Sequence, residues 1–213
     1  MPCKICSTAT IRIASKIVNR DKVPMRKWLE YYEWSKAKSP NYDTRRPNRE
    51  ERQVQKLLAI FQMTYLGAPM IYYGDEVGMW GANDPCCRQP MVWEDLEHKK
   101  GKRTPDDEGV FDPEMFEHYR QLIHLRNSHP ALQLGDYQTL LADDARELYV
   151  FSRSYQNQYI IVALNNSRND GEIKLEISND GEFVDRLERR AFFAKNNHLE
   201  FESKAKSGRI LVR

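Results

Sequence analysis

The hydrophobic period of this chain changes once, near Leu134-Gly135-Asp136, and that change constrains the fold more than any other feature. Upstream, apolar residues recur at spacings of three and four, as on an amphipathic helix. Downstream they come in short strand-like runs. Those runs are YQTLL, ELYVFSRS, QYIIVAL, EIKLEI, EFVDRL, HLEFES and GRILV. Asn-Asp-Gly occurs at 169–171 and again at 179–181, which is hairpin-turn chemistry. Short strands at close spacing predict an antiparallel β-sandwich domain over 134–213. The chain therefore divides into two architectures, 1–133 and 134–213.

In the first, PNREERQVQKLLAIFQMTYLGAP predicts a helix. Asn48 is its cap, and Glu51 stands three residues on as the returning half of a capping box. Val54, Leu57, Leu58, Phe61 and Tyr65 form its apolar stripe, and Gly67 and Pro69 end it. Pro69-Met-Ile-Tyr-Tyr73 follows as a short apolar strand of the kind buried on both faces of a parallel sheet. Asp112-Pro113 opens another helix, with aspartate as cap and proline in the first turn. Its predicted buried stripe is Met115, Phe116, Tyr119, Leu122 and Ile123. Helix, strand, helix is α/β organisation, so the fold class is α/β plus all-β.

Composition narrows the partners. The net charge is +2, with no basic surface or acidic tail to suggest nucleic acid. Arg45, Arg46, Arg49 and Arg52 are interleaved with Glu50 and Glu51 and read as a solvated helix start. No apolar run approaches the ~20 residues that span a membrane, so no membrane contact is expected. MPCKICSTAT lacks the apolar region of a signal peptide, which leaves the compartment unassigned. Cys3 and Cys6 have half-zinc-site spacing, but adjacent Cys86 and Cys87 do not supply the other half in the usual geometry. None of the five histidines forms a ligand pair. Neither metal nor cofactor is expected. Asn165-Asn166-Ser167 matches a glycosylation triplet, a weak signal without export.

GAPMIYYGDEVGM followed by DPCCRQPMVW resembles the eighth barrel strand and its loop in the α-amylase family, glycoside hydrolase family 13. The likeness is greatest to its cyclomaltodextrinase, neopullulanase and α-glucosidase-like branch. FEHYRQLIHLRNSHPAL followed by LGDYQTLL is similar to that family's last barrel helix and the start of its C-terminal β domain. The resemblance implies the C-terminal part of a (β/α)₈ barrel, about its last two β/α units, followed by the β-sandwich. It also implies a family that cleaves α-glucosidic bonds with retention, using two carboxyl groups about 5 Å apart.

In the family, the nucleophile, the acid/base and a third acid come from strands four, five and seven. The third stands in a Ser-His-Asp-Thr-x-Arg pattern, where this chain reads Ser7-Thr8-Ala9-Thr10-Ile11-Arg12. Thr8 and Ala9 carry no charge, so no catalytic residue is assigned. Asp75 and Glu76 do not substitute: neighbours on an extended strand point to opposite faces, and an ion pair or turn cap is expected of them. Asp43, Asp106 and Asp107 read as solvated or capping acids. The resemblance makes Asp84 and Arg88 a substrate-binding pair, because a carboxylate acceptor beside a rigid guanidinium fork matches sugar hydroxyls. A local salt bridge bracing the loop is the plainer alternative, and one pair can do both. Trp80 is read either as a stacking platform or as a loop anchor.

The expected function is that of the C-terminal part of an α-glucan-acting retaining glycoside hydrolase, inactive alone, with weak affinity for α-glucan or maltodextrin. The alternatives are a non-catalytic maltodextrin-binding module, and one subunit of a split glycosidase whose partner polypeptide supplies the missing barrel strands.

Overall fold

The structure is a computed structural model that describes residues 12–22, 34–35, 39–83, 86–96, 110–178 and 180–213. Cys3, Cys6, Thr8, Ala9, Asp84, Asp106 and Asp107 lie outside the described residues, as does the side chain of Cys86. The helices are α1 (Ile13–Val18), α2 (Arg49–Thr64), α3 (Pro113–Ser128) and α4 (Pro130–Leu134). Eight strands follow: β1 (Asp136–Asp143), β2 (Leu148–Tyr155), β3 (Gln158–Asn165), β4 (Gly171–Glu176), β5 (Gly181–Asp185), β6 (Ala191–Ala194), β7 (His198–Ser203) and β8 (Ser207–Val212). The chain forms two compact units. Unit 1 is Met1–Gln55 with Ile71–Glu117, and unit 2 is Lys56–Met70 with His118–Arg213, so the division falls inside α2 and inside α3.

Local chemistry sets the helix starts. The Glu51 amide donates to Asn48 Oδ1 at 2.9 Å, and the Asn48 amide donates to Glu51 Oε2 at 2.7 Å, which closes the capping box. Arg45 then grips the same carboxylate with both terminal nitrogens at 2.7 and 2.6 Å, which holds Glu51 below its usual carboxylate range. Asp112 Oδ1 accepts the Met115 amide at 3.0 Å, with Pro113 as the first helical residue of α3.

The predicted stripes need correction. On α2, Leu57 is buried, but Val54, Leu58, Phe61 and Tyr65 are only partly covered, and the deepest residues are Gln55, Ala59, Ile60, Met63 and Thr64. On α3, Met115, Tyr119 and Leu122 are buried as predicted, while Phe116 and Ile123 are 42% and 38% exposed and Arg126 is buried. The buried face of α2 thus includes the polar Gln55 and Thr64 beside Ala59, Ile60 and Met63, and Arg126 is buried on α3 because its guanidinium meets the Met63 and Gly67 carbonyls.

Pro69–Tyr73 is not a strand. Among the described residues it joins no sheet, and no parallel neighbour exists there to receive its backbone groups. The Met70 carbonyl takes a bond from the Gln62 side chain and the Tyr73 carbonyl one from Arg12.

In unit 2 the strands form a six-stranded sheet, ordered β1-β2-β3-β8-β5-β6, and a two-stranded sheet β4-β7, with antiparallel pairing throughout. All seven predicted runs are strands. β6 was not foreseen, because Ala191–Ala194 spans too few residues to show alternation. One core joins both sheets: Val150, Ile161, Phe183 and Leu211 meet Ile173, Leu175, Leu199 and Phe201. β3 is buried from Ile160 to Asn165 without alternation, since its other face is also covered. The end of α2 reaches the same sheet, where a Cβ at Gly208 would stand 2.9 Å from Ile60 Cδ1.

Asn169-Asp170-Gly171 is not a hairpin turn, nor is Asp180-Gly181, the described part of the second triplet. They precede β4 and β5, where the chain changes sheets, and their aspartates tie down distant backbone. Asp170 accepts the Ala205 amide at 2.9 Å, and Asp180 accepts the Asn196 and Asn197 amides at 3.0 and 2.8 Å. The two-residue turn with left-handed backbone at both positions is Asn196-Asn197, at φ 53° and 64°.

Candidate functional site

The candidate site lies within unit 1, on the loop that leaves Tyr72-Tyr73 and returns through Arg88 to Trp93. Its underside is apolar: Val77, Met79 and Val92 pack together against Met91 and Phe111. Short 3-10 turns at Asp75–Val77 and Cys86–Arg88 shape its two limbs. Polar groups of Ser15 and Ser35 pin the backbone between them. The Gly81 amide donates to Ser15 Oγ at 2.8 Å, and the Asn83 amide to the Ser35 carbonyl at 2.9 Å.

The principal tie is Arg12, which is fully buried. Its Nη1 donates to the Tyr73 carbonyl at 2.5 Å and its Nη2 to the Cys87 carbonyl at 3.0 Å, so one guanidinium holds both ends of the loop. Its Cζ lies 5.4 and 5.0 Å from the ring centres of Tyr72 and Tyr73, a cation–π arrangement on both. Gly74 permits this approach. It has φ 89°, and a Cβ there would stand 2.5 Å from Arg12 Nη1 and from Met79 Sδ. Arginine at position 12 belongs to the pattern quoted from the sequence, but its role as a loop tie was missed there. Its last-place arginine was the available signal.

Asp75 and Glu76 are spent locally. They occupy a 3-10 turn rather than the extended strand assumed from sequence, yet they still do not converge. Glu76 Oε2 accepts the Gly74 amide at 2.7 Å. Asp75 is 1% exposed, and burial pushes its carboxyl up to about 7 although Arg12 and the Ile13 amide favour the anion. Asp43 is partly exposed, accepts the Arg45 amide at 3.0 Å and pairs with Lys22 at 3.2 Å. Glu76 and Asp43 stabilise their own turns, Asp75 is buried with Oδ1 lacking a hydrogen-bond partner among the described residues, and the three offer no opposed pair of carboxyl groups.

Trp80 is an anchor. It is 4% exposed, and the guanidinium carbons of Arg46 and Arg52 lie 5.8 and 5.6 Å from its ring centre, so no open face remains for a sugar. Arg88 is exposed at the end of the second turn. Asp84 and Pro85 fall outside the described residues. Cys87 is buried and in no disulfide, and its neighbour Tyr72 donates to the Cys87 carbonyl at 3.4 Å. Burial pushes the Tyr72 phenol up to about 12, which keeps it protonated as that donor. Among the described residues no group of three or more His, Cys, Asp or Glu is arranged to hold a metal ion.

Against known proteins, residues 17–135 match the family described as alpha amylase, catalytic domain, and residues 135–211 match the alpha-amylase C-terminal domain. Neopullulanase 2 of Thermoactinomyces vulgaris is 37% identical over 158 residues, covering 73% of this chain and 25% of that protein. A cyclomaltodextrinase of Geobacillus thermopakistaniensis (strain MAS1) is 39% identical over 129 residues, covering 61% of this chain and 20% of that one. The chain thus spans about a quarter of the length of these curated relatives. Among solved structures, a cyclomaltodextrinase superposes with TM-score 0.62 at 25% identity over 80% of this chain and 27% of its own. An Anoxybacillus α-amylase superposes with TM-score 0.66 at 23% identity over 78% of this chain and 33% of its own, a likeness of fold.

Proposed function

Because this chain belongs to the α-amylase family, as part of its catalytic domain followed by its C-terminal β domain, we propose that these residues are the C-terminal part of an α-glucan-acting retaining glycoside hydrolase and are inactive by themselves. The observation that carries this reading is the fate of Asp75 and Glu76. One is buried beside Arg12, and the other holds the Gly74 amide. Retaining hydrolysis requires a nucleophile and an acid facing each other at about 5 Å across the bond to be broken. An acid buried beside Arg12 and an acid committed to the Gly74 amide do not supply that. The absence of charge at Thr8 and Ala9 in the sequence supports the same reading.

The purified chain should not hydrolyse starch, maltotriose, pullulan or cyclodextrin. Turnover above a blank that a substitution within these residues abolishes would overturn the proposal. A second reading, retained affinity for maltodextrin, is favoured by the exposure of Arg88 on a loop otherwise pinned to the unit's interior. Most subsites for a long glucan would have to come from elsewhere, so the expected affinity is millimolar, about −4 kcal/mol. Titration with maltoheptaose followed by NMR should shift Arg88. Shifts confined to the β domain would move the binding function there.

A further inference from the structure

We infer that Arg12 and Tyr73 are positioning residues that hold Arg88 in a fixed place for its ligand, an inference that rests on the reading of Arg88 as a sugar contact. Backbone carbonyls of both neighbours of Arg88 are held. On one side the Cys87 carbonyl accepts from Arg12 Nη2 at 3.0 Å and from the Tyr72 hydroxyl at 3.4 Å. On the other the Gln89 carbonyl accepts from the Tyr73 hydroxyl at 2.9 Å. The two fixings are linked, because Arg12 Nη1 donates to the Tyr73 carbonyl at 2.5 Å and its Cζ lies 5.0 Å from the Tyr73 ring centre. Arg12 is fully buried, whereas Arg88 itself is exposed.

That contrast has a consequence for binding. An arginine on an unrestrained loop must have its backbone and its side chain ordered when a ligand arrives, and each cost lowers affinity. With residues 87 and 89 already tied, the backbone share of that cost is met before the ligand arrives. The rigid fork then meets vicinal hydroxyls from a defined origin, as an α-glucan chain would require. Charge-assisted bonds from a buried guanidinium suit this task, because water cannot compete for their carbonyls.

Tyr73→Phe deletes one hydroxyl and leaves the ring beside Arg12; Arg12→Lys removes the double grip while keeping the charge. Two readouts are needed on the full chain: the ¹⁵N order parameter of the Arg88 amide without ligand, and the Kd for maltoheptaose. In the parent the Arg88 amide should be as rigid as ordered backbone, about 0.85, and should fall toward 0.6 in both variants. Kd should rise about three- to tenfold in Tyr73→Phe, with the urea midpoint of tryptophan fluorescence unmoved. A purely structural role would shift that midpoint and leave Kd alone. Unchanged order in both variants, or lowered order with unchanged Kd, would overturn the positioning role. No maltoheptaose binding by the parent would instead overturn the reading of Arg88 as a sugar contact.

Discussion

Arg126 and Arg153, on α3 and β2, converge on the last carbonyls of α2. Arg126 donates to Met63 and Gly67 at 2.7 Å each, and Arg153 donates to Thr64 at 2.7 Å. Arg153 reaches further, to the carbonyls of Leu132 at 3.1 Å and Gly135 at 2.9 Å. The end of a helix leaves carbonyls without internal partners and carries partial negative charge, and two guanidinium groups answer both needs. Burial lowers the pKa of each, yet both stay cationic because arginine begins so high.

Replacing Arg153 by methionine should therefore cost unit 2 about 2–4 kcal/mol, because several buried carbonyls lose a donor that water cannot replace. Urea unfolding followed by far-ultraviolet circular dichroism measures it. Arg153→Lys should recover only part of the loss, since one ammonium cannot span Thr64 and Gly135. A loss below about 0.5 kcal/mol in the methionine variant would mean these carbonyls are satisfied otherwise.

Asp75 gives unit 1 a pH dependence of definite sign. Its carboxyl titrates near 7 when folded and near 3.8 when free, so the folded state holds a proton that the unfolded chain releases. Stability is then greatest below about pH 4, falls as pH rises toward 7, and is level above it. With about three pH units at ~1.4 kcal/mol each, the change is at most about 4 kcal/mol. All four tryptophans of the chain, Trp28, Trp34, Trp80 and Trp93, belong to unit 1, so their fluorescence follows this unit alone. The urea midpoint should be lower at pH 8 than at pH 5 in the parent and nearly equal at both in Asp75→Asn. A midpoint that climbs toward pH 8 in the parent but not in the variant would reverse the assignment.

Limited proteolysis should not simply release the β domain. Unit 2 includes Lys56–Met70, and the contacts there are extensive: Phe61 lies 6.2 Å from Phe151 edge-on, Tyr65 lies 5.1 Å from Tyr137, and Arg153 holds Thr64. The protected material should be a C-terminal piece beginning near His118 that retains the α2 segment as a separate, non-covalently bound peptide. Mass spectrometry of the native digest after gel filtration distinguishes this from a bare piece beginning near Leu134. Recovery of an intact piece from unit 1 with a digested C-terminal half would contradict it.

What the sequence disclosed and what it hid follow one physical line. Asn48, Glu51 and Asp112 were legible because a cap acts within three residues of itself. The β4, β5 and β7 runs were legible because one-sided burial imposes alternation, and the β3 run because a short continuous apolar stretch suits a strand covered on both faces. Arg12, Arg126 and Arg153 were not, since charged side chains read as surface and their partners are backbone groups distant in sequence; nor was Arg209, whose carboxylate partners Asp185 and Glu188 lie more than twenty residues away. Pro69–Tyr73 misled for a related reason. A strand is a pairing rather than a property of five residues, and the described chain offers that segment no neighbour.

The last test separates a buried charge from a half-exposed one on the same arginine. Arg209, 2% exposed at its side chain, donates to fully buried Asp185 at 2.7 Å and to Glu188, 49% exposed, at 2.6 Å. Its Nε bonds the Glu202 carbonyl at 2.7 Å, while Asp185 also accepts the Leu187 amide at 2.9 Å. Distance alone would rank the two acids equal. Solvation ranks them differently, because water screens Glu188 and replaces it when it is lost, but does neither for Asp185. Asp185→Ala should cost about 3–5 kcal/mol, most of it from a guanidinium left buried without its counter-charge. Glu188→Ala should cost under about 1 kcal/mol. Adding Arg209→Met to Asp185→Ala should restore part of the loss by removing the stranded charge. Equal costs for the two alanine variants, measured by urea unfolding in one buffer, would show that burial does not govern this pair.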